Sequence, residues 1–202
     1  YKKFLQETNK QDIFYEYAKN KIEVSQQARK ILKDTIDAPI FELNDNINSP
    51  HVEKMPLISS DHSILVFDYT RYEPSATDQK NISYYAIKVC HKHLGLWQKA
   101  REVELTLPKG KNHYQLAGLS PDARFIYLAI AEDANSPKDL YQGELRDYRI
   151  ENLREMSALN TEADENAITV EKNYQRAYFS SNRKDGKGRY DLYVAEKGNF
   201  QD

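Results

Sequence analysis

The feature that most constrains this chain is a segment that recurs three times. LISSDHSILVFDYTR (57–71), GLSPDARFIYLAIA (118–131) and TVEKNYQRAYFSSNR (169–183) align residue for residue. Ile58, Leu119 and Val170 close one strand, Asp61, Asp122 and Asn173 occupy the turn, and Phe67, Leu128 and Phe179 lie in the next strand. Flanking pieces extend the match. INSPHVEKMP (47–56) pairs with LNTEADENAI (159–168) and, more loosely, with LPKGKNHYQL (107–116). SYYAI (83–87), DLYQG (139–143) and DLYVA (191–195) follow, and then WQKAREVEL (97–105) and IENLREMSAL (150–159) place Trp97 over Ile150 and Arg101-Glu102 over Arg154-Glu155. Each unit reads as four short antiparallel strands. A four-stranded unit repeating at about fifty residues is the signature of propeller blades, and three blades fall short of the four to eight that close a ring.

The turn chemistry is local. In SPDA, Pro121 presets φ for a type I turn, and the side chains of Asp122 and Asn173 can bond nearby backbone N–H groups. Asp139 and Asp191 precede the third strand of their units, where a carboxylate can accept backbone N–H bonds or pair with Arg183. In the first unit Ser83 takes that place. The loop KDGKG (184–188) is basic and glycine-rich, but a phosphate-cradling loop needs G-x-x-x-x-G-K-[ST] opening a helix. Here one residue separates Gly186 from Gly188 and a strand follows, so the loop reads as a hairpin tip with glycine supplying positive φ.

Residues 1–38 contain no Gly or Pro. Phe14, Tyr17, Ala18, Ile22, Ser25, Ala28, Ile31 and Leu32 recur at three- and four-residue steps, which predicts an amphipathic helix. Asp12 is the expected N-cap, Glu16 lies inside the first turn, and Pro39 ends the helical region. A shorter helical piece is expected over Tyr1–Gln6. The division is therefore a helical segment, 1–43, and a mainly β region, 44–202, with units at about 47–106, 107–158 and 159–202.

Composition removes several functions. The 29 Lys+Arg against 31 Asp+Glu give a formal charge of −2, which supplies no field toward nucleic acid or anionic lipid. The 15 tyrosines read as strand and inter-blade packing, because base stacking would want a basic groove beside them. No apolar run approaches the ~18 residues of a membrane helix, so this segment is not expected to insert directly in a membrane. Cys90, the single cysteine, sits in a β-branched, aromatic run and reads as a small core residue. His91 and His93 lie two apart without the further ligands a structural zinc needs. The hydrolase G-x-S-x-G pattern is absent, and no catalytic residue, cofactor or metal is expected. Tyr1 is not an initiator methionine, so the chain reads as an internal fragment.

LSPDARFIYLAI and YFSSNRKDGKGRYDLYV resemble the TolB-type, WD-like propeller repeat, whose form is roughly Ser-Pro-Asp-Gly, an aromatic strand, Ser-Asn/Asp-Arg, a Gly-rich loop and Asp-Ile/Leu-Tyr. Ala123 stands where that form has glycine, the first unit lacks its proline, and the third has EKN for Ser-Pro-Asp. ARKILKDTIDAPIFELNDNINSPHVEKMPLISSD resembles the junction of a tetratricopeptide-like array with such a propeller in Bacteroidetes-type periplasmic proteins that carry OmpA-like domains. The resemblance implies a non-enzymatic scaffold binding other envelope proteins, periplasmic and outer-membrane-associated, in secretion or gliding machinery. Peptidoglycan would be reached only through domains outside this chain. The alternative is a carbohydrate-active or peptidase-associated propeller, or a carbohydrate-binding module. Asp122, Asn173, Arg183, Asp191 and Tyr193 are the expected structural turn and brace residues, with Arg183 and Asp191 as braces at the two ends of the KDGKG loop.

Overall fold

A computed structural model describes residues 1–10, 14–33, 39–74 and 81–196. The chain divides into two compact units at Glu42/Leu43. The first holds two helices, α1 (Lys2–Glu7) and α2 (Tyr15–Lys33). Tyr1 and Tyr17 meet edge to face at 6.1 Å. Ala18 is buried, whereas Phe14 and Tyr17 on the predicted apolar stripe are exposed, as is Val24 beside it. The expected cap Asp12 lies outside the described residues.

The second unit is mainly β and is built from three antiparallel sheets in chain order. Sheet I contains β1 (Val52–Ile58), β2 (Ile64–Pro74), β3 (Asn81–His93), β4 (Leu96–Trp97) and β5 (Arg101–Glu102). Sheet II is the meander β6 (His113–Leu119), β7 (Phe125–Ala131), β8 (Asp139–Arg146) and β9 (Arg149–Glu155). Sheet III is β10 (Glu165–Val170), β11 (Arg176–Ser181) and β12 (Asp191–Glu196). The expected fourth strand of the third unit falls on residues outside the described ones. Among the described residues the sheets form no closed ring.

The sheets stack face to face, and sequence pattern follows position in the stack. The central strand β7 reads FIYLAIA, buried nearly throughout, because both its faces are covered. Val66, Ile87 and Val89 of sheet I pack against Leu116, Ile126, Leu128 and Ile130 of sheet II. Tyr127, Ala129 and Leu140 on the other side of sheet II pack against Ile168, Val170, Ala177 and Phe179 of sheet III. The strand β12, DLYVAE, is covered on one face only. Sheet I closes its own far face: Leu65, Phe67, Cys90 and Ile47 form a cluster with Trp97 and Ala100 against it. Two bonds lace this lid, from Ala100 N–H to the Asn46 carbonyl (2.8 Å) and from Asn46 Nδ2 to the Trp97 carbonyl (2.8 Å). The Cys90 thiol donates to the Gln98 carbonyl (2.6 Å), and burial pushes its pKa up to about 11.

One alignment needs correction. Phe67 lies opposite Lys88, Leu128 opposite Tyr141 and Phe179 opposite Tyr193. The counterpart of DLYQG is therefore AIKVC (86–90), not SYYAI, and Ala86 rather than Ser83 takes the place of Asp139 and Asp191. The β2–β3 hairpin is longer than its relatives, and this carries the aromatic run three residues along the strand. The Arg101-Glu102 and Arg154-Glu155 equivalence agrees with the register, since Glu102 pairs Lys88 and Glu155 pairs Tyr141.

Candidate functional site

The three first turns share one hydrogen-bond plan. Ser59, Ser120 and Glu171 each donate their N–H to the residue five ahead (2.8–2.9 Å). The side chain two residues past each of them accepts the N–H two residues further on: Asp61 from Ser63 (3.0 Å), Asp122 from Arg124 (3.1 Å), Asn173 from Gln175 (2.9 Å). The residue after each acceptor is left-handed: His62 at φ 59°, Ala123 at 55°, Tyr174 at 55°. That conformation favours glycine, and here His62, Ala123 and Tyr174 adopt it with a Cβ. The hydroxyls of Ser59 and Ser63 hold Asp61 at about 2. For Asp122, burial pulls the pKa upward, but bonds from Tyr174, Ser120 and Arg124 outweigh it and keep the carboxyl low. The turns also join one another. Ser60 N–H donates to the Pro121 carbonyl (2.6 Å), and the Tyr174 hydroxyl donates to Asp122 Oδ1 (2.5 Å).

At the KDGKG loop Asp191 takes the first of its two expected arrangements, whereas Arg183 and the glycines depart from the sequence reading. Asp191 Oδ2 accepts the N–H groups of Lys187 (2.7 Å) and Gly188 (3.0 Å), so it braces the loop through backbone. Arg183 instead donates to Glu165 Oε1 (3.3 Å), the Leu159 carbonyl (2.8 Å) and Ser181 Oγ (3.0 Å). Its guanidinium also lies 4.7 Å from the Tyr193 ring, which stacks on Phe179. Neither Gly186 nor Gly188 has positive φ. Glycine is needed at 186 for closeness, because a Cβ there would sit 2.1 Å from Asp191 Oδ2. Asp191→Ala is expected to cost about 1 kcal/mol, since water can replace its bonds to an exposed loop. At roughly 2–4 °C per kcal/mol for a unit of this size, calorimetry should show a small drop in Tm.

Asp139 pairs with Lys111 Nζ at 3.2 Å. His91 meets the Tyr148 ring edge to face, and His93 is exposed at the end of β3. Among the described residues no group of three or more His, Cys, Asp or Glu could hold a metal ion.

Two features escaped sequence reasoning. The first is Glu165, fully buried, accepting from Thr161, Ser181 and Arg183. The acidic run TEADEN was the available signal. The second is a cleft of about 460 Å³ between sheets I and II, lined by residues including Lys54, Asp68, Tyr72, Tyr85 and Tyr114. At its floor the Tyr85 hydroxyl bonds Asp68 Oδ1, and Leu116 N–H reaches both oxygens (3.0 and 3.3 Å). Burial raises the Asp68 pKa against these bonds.

No protein-family model matches the chain, and no curated protein does. Among solved structures, prolyl oligopeptidase B from Galerina marginata, bound to a 35mer hydrolysis and macrocyclization substrate, matches at 18% identity. It covers 73% of this chain and 20% of that one, with TM-score 0.43. A putative TolB from Agrobacterium tumefaciens matches at 15% identity over 75% of this chain and 60% of that one, TM-score 0.40. A structure from a study of two prolyl endopeptidases matches at 14% over 80% and 31%, TM-score 0.34. The chain spans less than two thirds of the length of each.

Proposed function

We propose that sheets I–III are three consecutive blades of a TolB-type β-propeller and that the chain is a non-enzymatic scaffold for protein–protein contact in a bacterial cell-envelope assembly. The helical unit, as the end of a tetratricopeptide-like array, offers a second surface. The setting proposed is periplasmic and outer-membrane-associated, with envelope proteins as partners.

The observation that carries the protein-binding reading is the open face of sheet III. Register makes Val66, Tyr127 and Tyr178 equivalent, and likewise Ile87, Leu140 and Leu192. The first two of each set are covered by the next sheet, at 0% and 1%, and 2% and 0% exposure. Tyr178 is 41% and Leu192 85% exposed, with Val194 beside them at 55%. A rigid sheet with an uncovered apolar face is a surface for another protein sheet.

The test is Leu192→Arg in the 202-residue chain, used as bait to recover partners from cross-linked envelopes. Because Leu192 is exposed, the variant should fold with unchanged circular dichroism and Tm. It should lose a partner that the wild type retains. Recovery of the same partners at the same yield would sink the reading.

A further inference from the structure

We infer that the cleft between sheets I and II binds a neutral sugar unit of an oligosaccharide. This goes beyond the scaffold function and rests on a different surface. One wall is a single face of sheet I. Lys54 lies directly opposite Asp68, and Thr70 directly opposite Tyr85, so all four side chains share that face with Tyr72 two residues beyond Thr70. The other wall is the start of β6, where the Tyr114 ring meets Tyr85 edge to face at 5.1 Å. The volume of about 460 Å³ falls within the range of small-molecule sites, roughly 300–1,000 Å³.

The floor is fixed and the rim is not. Asp68 Oδ1 is held by Tyr85 and the Leu116 N–H. Among the described residues, Asp68 Oδ2, the Lys54 ammonium and the hydroxyls of Thr70, Tyr72 and Tyr114 make no hydrogen bond. These unused groups include a charge of each sign within one cleft. An anionic ligand would face Asp68 and a cationic one Lys54. A wholly apolar ligand would bury both charges unpaired, which is costly. A polyhydroxylated neutral ring satisfies the whole set. Its hydroxyls donate to Asp68 Oδ2 and accept from Lys54 as charge-assisted bonds. Its C–H face packs on the ring of Tyr72, which is half exposed. A tyrosine also keeps a polar tip for a further hydroxyl. The raised pKa of Asp68 further weakens any preference for a cation.

The experiment titrates the chain with maltose, cellobiose and N,N′-diacetylchitobiose, followed by saturation-transfer NMR and calorimetry. Inorganic phosphate and N-acetyl-arginine amide serve as charged counter-probes. At least one disaccharide should bind saturably and more tightly than either charged probe. Tyr72→Ala should weaken it about fivefold, the loss of one aromatic contact, with Tm unchanged because the ring is half exposed. Asp68→Asn, which keeps the side chain's size, should weaken it as well. Absence of saturable binding by all three sugars would overturn the inference. So would tighter binding of a charged probe, or wild-type affinity in Tyr72→Ala.

Discussion

Replacing Gly118 by alanine should lower the stability of the β unit by about 3 kcal/mol, the upper end of what overpacking costs. Gly118 lies near the end of β6, where that strand runs against β10 of the next sheet. A Cβ at this position would stand 2.2 Å from the Ile168 carbonyl oxygen and 3.2 Å from its Cγ2. The obstructing atom is backbone, so no rotamer change relieves it. The two sheets must separate, and Ile168, Ala117 and Tyr127 lose packing in the shared cluster. Calorimetry should register a fall in Tm of about 6–12 °C at 2–4 °C per kcal/mol. Gly188→Ala is the control. Its Cβ would meet nothing nearer than 3.9 Å, and its Tm should stay within the small range of surface substitutions. Equal melting of the two variants would refute a close approach of β6 to β10.

Glu165→Ala should cost a similar amount, about 3 kcal/mol, as expected when one partner of a buried ion pair is removed. The carboxylate lies at the entry to β10 with no exposure. Oε1 accepts from Thr161 Oγ1 (2.9 Å), Ser181 Oγ (2.6 Å) and Arg183 (3.3 Å), and Oε2 accepts Thr161 N–H (3.1 Å). Alanine removes the acceptor of Thr161 and Ser181 and leaves a cavity, while Arg183 keeps only its bonds to the Leu159 carbonyl and Ser181 Oγ. Glu165→Gln keeps the shape and most acceptor sites, so it should retain more stability than alanine. Denaturant titration of both variants checks the order. Alanine as stable as glutamine would show that the network does not hold sheet III.

What the sequence made legible was local. The turns at Asp61, Asp122 and Asn173 could be read because each acceptor bonds an N–H two residues away. Asp191 was only half legible: a carboxylate before a strand can brace a loop or pair with an arginine, and nothing within the segment decides between them. The partner Arg183 takes is Glu165, 18 residues earlier in the chain, a pairing that the fold creates. The cleft joins Asp68 to the Leu116 N–H across 48 residues and left no trace in any single motif. The misplaced SYYAI match has a further cause. Aromatic identity drove that alignment, whereas hydrogen-bond register sets the pairing. A shift of three residues, being odd, turns a strand over. Tyr85 therefore faces the cleft and sheet II, while Tyr141 faces back toward sheet I.

The lid over sheet I gives the stack a direction in time. Ile47 just before β1, Trp97 in β4 and Ala100 just after it seal the far face of sheet I, so one side of its core is completed by the chain that makes and flanks its own strands. Its other side is left for sheet II, and sheet II in turn presents a surface for sheet III. During synthesis from the N-terminus, each sheet then emerges onto a template already formed. Within this unit, sheets I and II each leave an apolar face to the sheet that comes next in the chain.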